Sequence, residues 1–366
     1  MRQEVAAAAY RLFRYAGQTP VPTPGLVSCK PRNGERTKPV PTPSPQAHSQ
    51  MQPDSLLPLL LPHPKSTTDT SKPDTGSDHF YSSSQMKTFP NSSFFKEKRA
   101  PTLPTPADIR AINQKSDNVL ATNFNRPQPL RIPSLGLFVK YGADVTIVEA
   151  QTQIMVREKL QGRVPVPEVF GWAEDGGQRF IYMSLIEGET LQERWRDMND
   201  HERWTICKEL RYIVEAWRSL KQDTHDYYIG SQGKQPLNDI FLAHRPELTG
   251  PFQGVKAVKQ FQDACGIEIS TDVPIIFTHS DLVAPNILLS LGPNLKVAAI
   301  IDWGQAGWYP AYWEYCKARR VRLNPEHFSD ALQEEWRTKY LPLIMDPVHD
   351  ETYYHPWLYF VLSKGI

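Results

Sequence analysis

The sequence predicts an α+β chain, a small strand-rich part followed by a mainly helical one, both behind a Pro-, Ser- and Thr-rich tail. Three observations carry this. The chain has 366 residues, which suits two lobes plus a tail. Apolar residues alternate with period two early in the ordered part and repeat at helical spacing later. Late in the chain, Phe277 to Gly304 reads as loop, strand, turn, strand, acid.

The tail comes first. From Gln18 to about Pro106 the chain holds about half of its 33 prolines and few aliphatic residues beyond a cluster at Leu56. Such a segment cannot bury enough apolar surface to offset its ordering entropy. Runs such as VPTPG favour extended, solvated backbone. Residues 1–105 are therefore expected to be a disordered tail, 106–184 the first lobe and 185–366 the second.

Order is expected from Pro106, with a short helix over Ala107 to Gln114. In Ser134 to Lys140, Leu135, Leu137 and Val139 alternate, which predicts a strand that Lys140 closes. A helix follows from Asp144 or Thr146 to Leu160, and its first Glu is Glu149. Pro165 and Pro167 stop it. Phe180 to Met183 predicts a buried strand, and Gly188 lets the chain turn into the second lobe. There, Asn199 with Glu202 reads as a capping box opening a helix to Leu220. Trp204, Cys207, Leu210, Ile213, Val214 and Trp217 form its core stripe. Asp223 to Pro251 reads as a long loop region, and Gly254 to Cys265, Phe328 to Tyr340 and Tyr353 to Ser363 as helices. The aromatic cluster Trp308 to Tyr315 reads as lobe packing, with Glu314 pinning its helix to the polar loop. His349, Asp350, Glu351 and His355 read as a solvated turn rather than a metal cluster.

The polar stretch is FTHSDLVAPNILLS, Phe277 to Ser290, answered by AAIIDWG, Ala298 to Gly304. It carries His279, Asp281 and Asn286. Gly292, Pro293 and Asn294 supply turn chemistry between two apolar runs. An antiparallel pair there would return Asp302 to the side of Asp281 and Asn286. Phosphoryl transfer needs such a set. One carboxylate positions the attacking hydroxyl and takes its proton, while a carboxamide and a second carboxylate are hard oxygen ligands for magnesium. The spacing matches H-x-D-x-x-x-x-N followed by an Asp one hairpin later.

The wording HSDLVAPNILL with IIDWGQAGWYPAYWEY resembles the aminoglycoside phosphotransferase and choline kinase-like family, in its fungal branch. The resemblance runs from about Ser116 to the C-terminus and is strongest from Pro274 to Ala318. It implies a bilobal protein-kinase-like fold and ATP-dependent phosphorylation of a small hydroxyl-bearing molecule. It implies Asp281 as catalytic base, His279 as organiser of the loop, and Asn286 and Asp302 as ligands of Mg2+. It further implies that Lys140 contacts the nucleotide phosphates and pairs with Glu149, Glu158 being the alternative. Adenine would fall against Met183 and the backbone near Ser184 and Ile186. Two features depart from the family pattern. Ser280 stands where a small residue, often Gly, precedes the Asp, and no Gly-rich loop precedes Lys140, which leaves Asn118 to Ile132 to cover the phosphates.

Composition narrows the partners. The formal net charge is +1, so no bulk field favours nucleic acid or an anionic membrane. No apolar run is long enough to span a bilayer. Cys29, Cys207, Cys265 and Cys316 are isolated, which argues against structural zinc and for a reducing, cytoplasmic setting. A monomer acting on a small-molecule hydroxyl acceptor is expected. Asp223, Asp226 and Asp239 are weak candidates for greeting a cationic acceptor. The alternative reading is a catalytically weak or inactive nucleotide-binding module on the same fold. A protein kinase is disfavoured, because the Gly-rich loop and an A-P-E element are both missing.

Overall fold

The structure is a computed structural model and describes residues 85–116, 118–222, 226–242, 245–270 and 272–364. Most of the expected tail, with Cys29, and the acidic candidate Asp223 lie outside the described residues.

The first lobe is a five-stranded sheet in the order β1-β4-β5-β3-β2. Its strands are β1 (Gln85–Thr88), β2 (Leu130–Ile132), β3 (Leu137–Gly142), β4 (Val169–Asp175) and β5 (Gln178–Ser184). All four pairings are antiparallel. Order therefore begins before Pro106, not at it. β1 pairs Gln85 to Thr88 with Glu174 to Gly171, and Phe94 and Leu103 are buried in the lobe's core. Composition hid this because four paired residues and a few scattered apolar ones cannot outweigh the prolines around them.

Period-two alternation decides what each strand residue faces. Leu137, Val139 and Tyr141 of β3 join Phe94, Ile109, Phe180 and Tyr182 on one face. On the other, Ile181 and Met183 of β5 pack with Val145 and Ala150, and β3's even-numbered residues lie on that side. Lys140 pairs with Ile181, and Phe138 with Met183. Helix α1 (Pro106–Gln114) is opened by a Thr105–Asp108 capping box, and helix α2 (Ile147–Lys159) carries Glu149 in its first turn. The strand predicted from Ser134 starts three residues late, because Pro133–Leu135 forms a 3-10 turn that ends at Gly136, φ 55.

The connection into the second lobe is pinned at Gly188. A Cβ there would lie 2.4 Å from the carbonyl oxygen of Leu289, so this close approach admits only Gly. Strand β6 (Glu189–Thr190) then pairs with the hairpin described below.

Helix α3 (Asp200–Arg218) has the predicted capping box, Asn199 accepting from the Glu202 amide and Glu202 from that of Asn199. Its stripe of Ile206, Cys207, Leu210, Ile213, Val214 and Trp217 is buried. Trp204, placed in that stripe on spacing, is instead 43% exposed and covered by Lys208, whose Nζ sits 4.0 Å from the ring centroid. It falls on the edge of the stripe, where an amphipathic ring can rest on a lysine stem.

The polar stretch folds as strands β7 (Ile275–Thr278), β8 (Ile287–Leu289) and β9 (Val297–Ile300). β8 and β9 pair antiparallel, Ile287 opposite Ile300. Strand β10 (Gly307–Pro310) pairs with β7. The aromatic spelling of that segment had concealed a strand, with Pro310 at its end where it breaks no ladder. Helix α4 (Trp313–Arg320) follows. The helix predicted from Phe328 starts at Asp330, is α-helical over Asp330–Glu335 and widens into a π-helical turn over Trp336–Tyr340. Among the described residues no helix is long and apolar enough to cross a membrane.

Candidate active site

The hairpin works as expected: one peptide draws the acid back to the loop. The amide of Ile301 donates to the carbonyl of Asn286 at 3.0 Å, and its carbonyl lies 3.0 Å from Nε2 of His279. Asp302 is the next residue. His279 Nδ1 accepts from the Asp281 amide at 3.2 Å, so the ring's proton sits on Nε2 and points at Ile301. His279 is buried between Trp303 and Trp217, at centroid distances of 4.6 and 6.0 Å. Burial lowers its pKa to about 4, so the ring is neutral. It acts as a strut for the loop.

Leu282, Val283 and Ala284 sink the loop's apolar side into the second lobe's core. That leaves Asp281 and Asn286 to be fixed by each other. Asn286 Nδ2 donates to the carbonyl of Asp281 at 2.9 Å and to its Oδ2 at 3.1 Å. Asp281 Oδ1 is buried without a hydrogen-bond partner among the described residues. Burial, with Asp302 and Asp239 adding and Lys317 and Asn286 opposing, raises the Asp281 pKa to about 7. An orphaned carboxylate oxygen with a proton affinity near neutrality is uncommon outside functional sites.

Lys140 crosses from the first lobe. Its Nζ lies 2.8 Å from each Glu149 oxygen and 2.7 Å from Asp302 Oδ1. Glu149 rather than Glu158 is thus the partner. The lysine side chain is 10% exposed and that of Glu149 3%, so this is a buried ion pair rather than a surface one. Burial raises Glu149's pKa, with Lys140 opposing and Asp302 adding. At Asp302 burial also pushes upward, but the charge and hydrogen bond of Lys140 outweigh it and hold the carboxyl below its ordinary value. Asp302 adopts φ 62, in the left-handed region, a strained setting for a non-Gly residue.

The adenine-side positions are less uniform. Met183 is 5% exposed and packs with Val169 and Ile181. Ser184 is committed inside the lobe, its amide donating to the Glu168 carbonyl at 2.8 Å and its hydroxyl accepting from the Glu168 amide at 2.9 Å. Ile186 lies two residues beyond the end of β5 and is half-buried. Of the acidic acceptor candidates, Asp239 is wholly buried and paired with Lys317 at 2.8 Å, so it cannot greet a ligand. Asp226 is exposed and paired with Lys234 at 2.6 Å.

Sequence reasoning missed Lys317, Gln305 and Arg126. Arg126 lies in the segment left to cover the phosphates, bonds Asp144 at 2.9 Å, and lowers the proton affinity of both Glu149 and Asp302. Nothing short of the fold marks it. The fit of a divalent cation can be judged from the donors. Asn286 spends its amide nitrogen on Asp281, which reserves its oxygen, and Asp302 adds a carboxylate. This all-oxygen set suits magnesium, which takes one or two carboxylates and fills the rest of its shell with phosphate and water.

An antiparallel sheet with one helix on its inner face, then a helical lobe bearing this loop and hairpin, defines a kinase-like phosphotransferase fold. The chain belongs to the phosphotransferase enzyme family, whose model matches residues 141–349. No curated protein matches it in sequence. Among solved structures it is similar to an aminoglycoside-3'-phosphotransferase of type VIII at 16% identity, covering 63% of this chain and 85% of that one, with a TM-score of 0.41. It is similar to APH(3'')-Id from Streptomyces rimosus at 17% identity, covering 67% and 93%, with a TM-score of 0.40. A third is a thermostable mutant of aminoglycoside phosphotransferase APH(4)-Ia in ternary complex with AMP-PNP and hygromycin B, at 14% identity, covering 69% and 86%, with a TM-score of 0.41.

Proposed function

We propose that this protein transfers the γ-phosphate of ATP to a hydroxyl group of a small molecule. One observation carries the reading: Asp281 presents a buried, unpartnered carboxylate oxygen whose pKa is pushed up to about 7. A general base works best with an affinity near the operating pH. Asp281 accepts the acceptor hydroxyl's proton as that oxygen bonds to the γ-phosphorus, and the bond to the ADP oxygen breaks. Asn286 holds Asp281 in its bearing and, with Asp302, would bind magnesium. When bound, the metal supplies charge neutralisation on the phosphates. Lys140 binds the phosphates and is kept in place by Glu149. Met183 and the backbone near Ile186 form the adenine side.

A second reading, a weak or inactive nucleotide-binding module, draws on two features: the missing Gly-rich loop, and the bond between Lys140 and Asp302, which a bound nucleotide must loosen. A screen for γ-phosphate transfer to a metabolite extract separates the two. Transfer that disappears in Asp281→Asn supports the enzyme. Stabilisation by magnesium-ATP with no acceptor labelled supports the module.

A further inference from the structure

Ser280, the residue before Asp281, stands at φ 59 and is 1% exposed. A non-Gly residue resists this left-handed conformation, so something must hold it there. Its hydroxyl donates to Asp239 Oδ2 at 2.8 Å and its amide to Glu314 Oε1 at 3.0 Å. Asp239 has no exposed surface. Its Oδ2 also accepts from Trp313 Nε1 at 2.9 Å and Lys317 Nζ at 2.8 Å, and its Oδ1 from the Phe241 amide at 2.8 Å. Lys317, 2% exposed, donates in addition to Gln305 Oε1 at 2.6 Å. Gln305, three residues past Asp302, also accepts from the Ile240 amide at 2.8 Å.

Four segments meet at this pair: the catalytic loop, the turn after Asp302, helix α4, and the 238–241 segment. Burying an ion pair is weak evidence for stability, since apolar packing of equal volume often does as well. Apolar packing cannot, however, supply the five directed hydrogen bonds through which this pair ties together four separate segments. The network's value therefore lies in orientation.

We propose that Asp239 and Lys317, acting through Ser280, are positioning residues that lock the catalytic loop in its left-handed turn and so aim Asp281 at the acceptor. The proposal rests on the phosphotransfer reading above. Neither Asp239 nor Lys317 touches the reacting atoms.

The test compares Ser280→Ala with Ser280→Gly in the full chain, following ADP release from magnesium-ATP with water as the acceptor. Ala loses the hydroxyl anchor but still resists positive φ, whereas Gly loses the anchor and adopts that φ freely. The expected result is that S280A lowers kcat about tenfold or more while the KM for ATP stays within about threefold, and that S280G restores kcat to within about threefold of wild type. Asp239→Asn provides the second arm, with turnover lost in the single variant and recovered when S280G is added. Equal losses in S280A and S280G, unchanged turnover in S280A, or no recovery in the double variant would each overturn the proposal. Asp281→Asn is the separate control. If it releases ADP as fast as wild type, the phosphotransfer reading fails whatever Ser280 does.

Discussion

Asp281→Asn should inactivate the protein and stabilise it, and the stabilisation should depend on pH. The folded protein holds this carboxyl at a pKa of about 7 against an ordinary 3.8. The sign follows from proton counting. Between those two values the folded state binds a proton that the unfolded state releases, so stability falls as pH rises and levels off above about 7. At 1.36 kcal/mol per tenfold change in affinity, the ionised carboxylate costs the fold about 4 kcal/mol at alkaline pH. Asparagine carries no such cost, although its amide remains in a buried, half-satisfied position and returns about 1–2 kcal/mol of the gain. The amide's cost is the same at every pH, while about 1.7 kcal/mol of the carboxylate's cost is already present at pH 5, so the advantage of the variant over wild type should grow by about 2–3 kcal/mol between pH 5 and pH 8. Urea unfolding of both proteins at the two pH values measures this directly. Transfer activity should fall by about two to four orders of magnitude in the same variant. Equal stability differences at both pH values would show that Asp281 is not held at raised affinity, and the case for it as the base would lose its main support.

Three further perturbations read other parts of the site. Lys140→Met leaves Glu149 buried without its cation, and should cost about 2–4 kcal/mol near pH 8 and less near pH 5, where Glu149 can take up a proton; denaturant titration at both pH values reads it. Gly304→Ala places a Cβ 3.0 Å from Glu149 Oε2 and 3.5 Å from Asp302 Oδ1, so calorimetry should find magnesium-ATP bound several-fold more weakly with only a small change in unfolding midpoint. Trp217→Ala removes a wholly buried ring that backs His279 and Trp303 and should cost about 3–5 kcal/mol, whereas Trp204→Ala should stay within about 1 kcal/mol.

What the sequence disclosed and what it withheld follow from the range of the forces involved. The loop and hairpin were legible because their signals are local. Apolar runs fix the strands, a Gly-Pro-Asn turn fixes their pairing, and the pairing carries Asp302 to Asn286 through the single peptide of Ile301. Lys140 and Glu149 were legible through the family resemblance, which pairs a strand lysine with a Glu on the next helix. β1 was not, since an edge strand of four residues is specified by its partner rather than by its own pattern. Asp239 was misjudged for a related reason: a carboxylate in a Tyr-, Gly- and Pro-rich loop looks exposed unless the lysine that buries it, 78 positions on, is known to arrive.

The two residues held at positive φ around the site, Ser280 and Asp302, sharpen that distinction. Sequence gives no sign of the strain at Asp302, because aspartate is an ordinary loop residue. Yet both are over-determined: Ser280 by Asp239 and Glu314, Asp302 by Lys140 and by the two bonds of the preceding Ile301. Strain of this kind persists only where surrounding contacts exceed it, and it then fixes a side chain more narrowly than a relaxed backbone would. Asp281 and Asp302 are thus aimed by two separate sets of contacts, one reaching back to helix α4 and one to the first lobe. On the proposed phosphotransfer reading, that separation lets the acceptor's proton and the nucleotide's charge be handled from opposite sides of the same small volume.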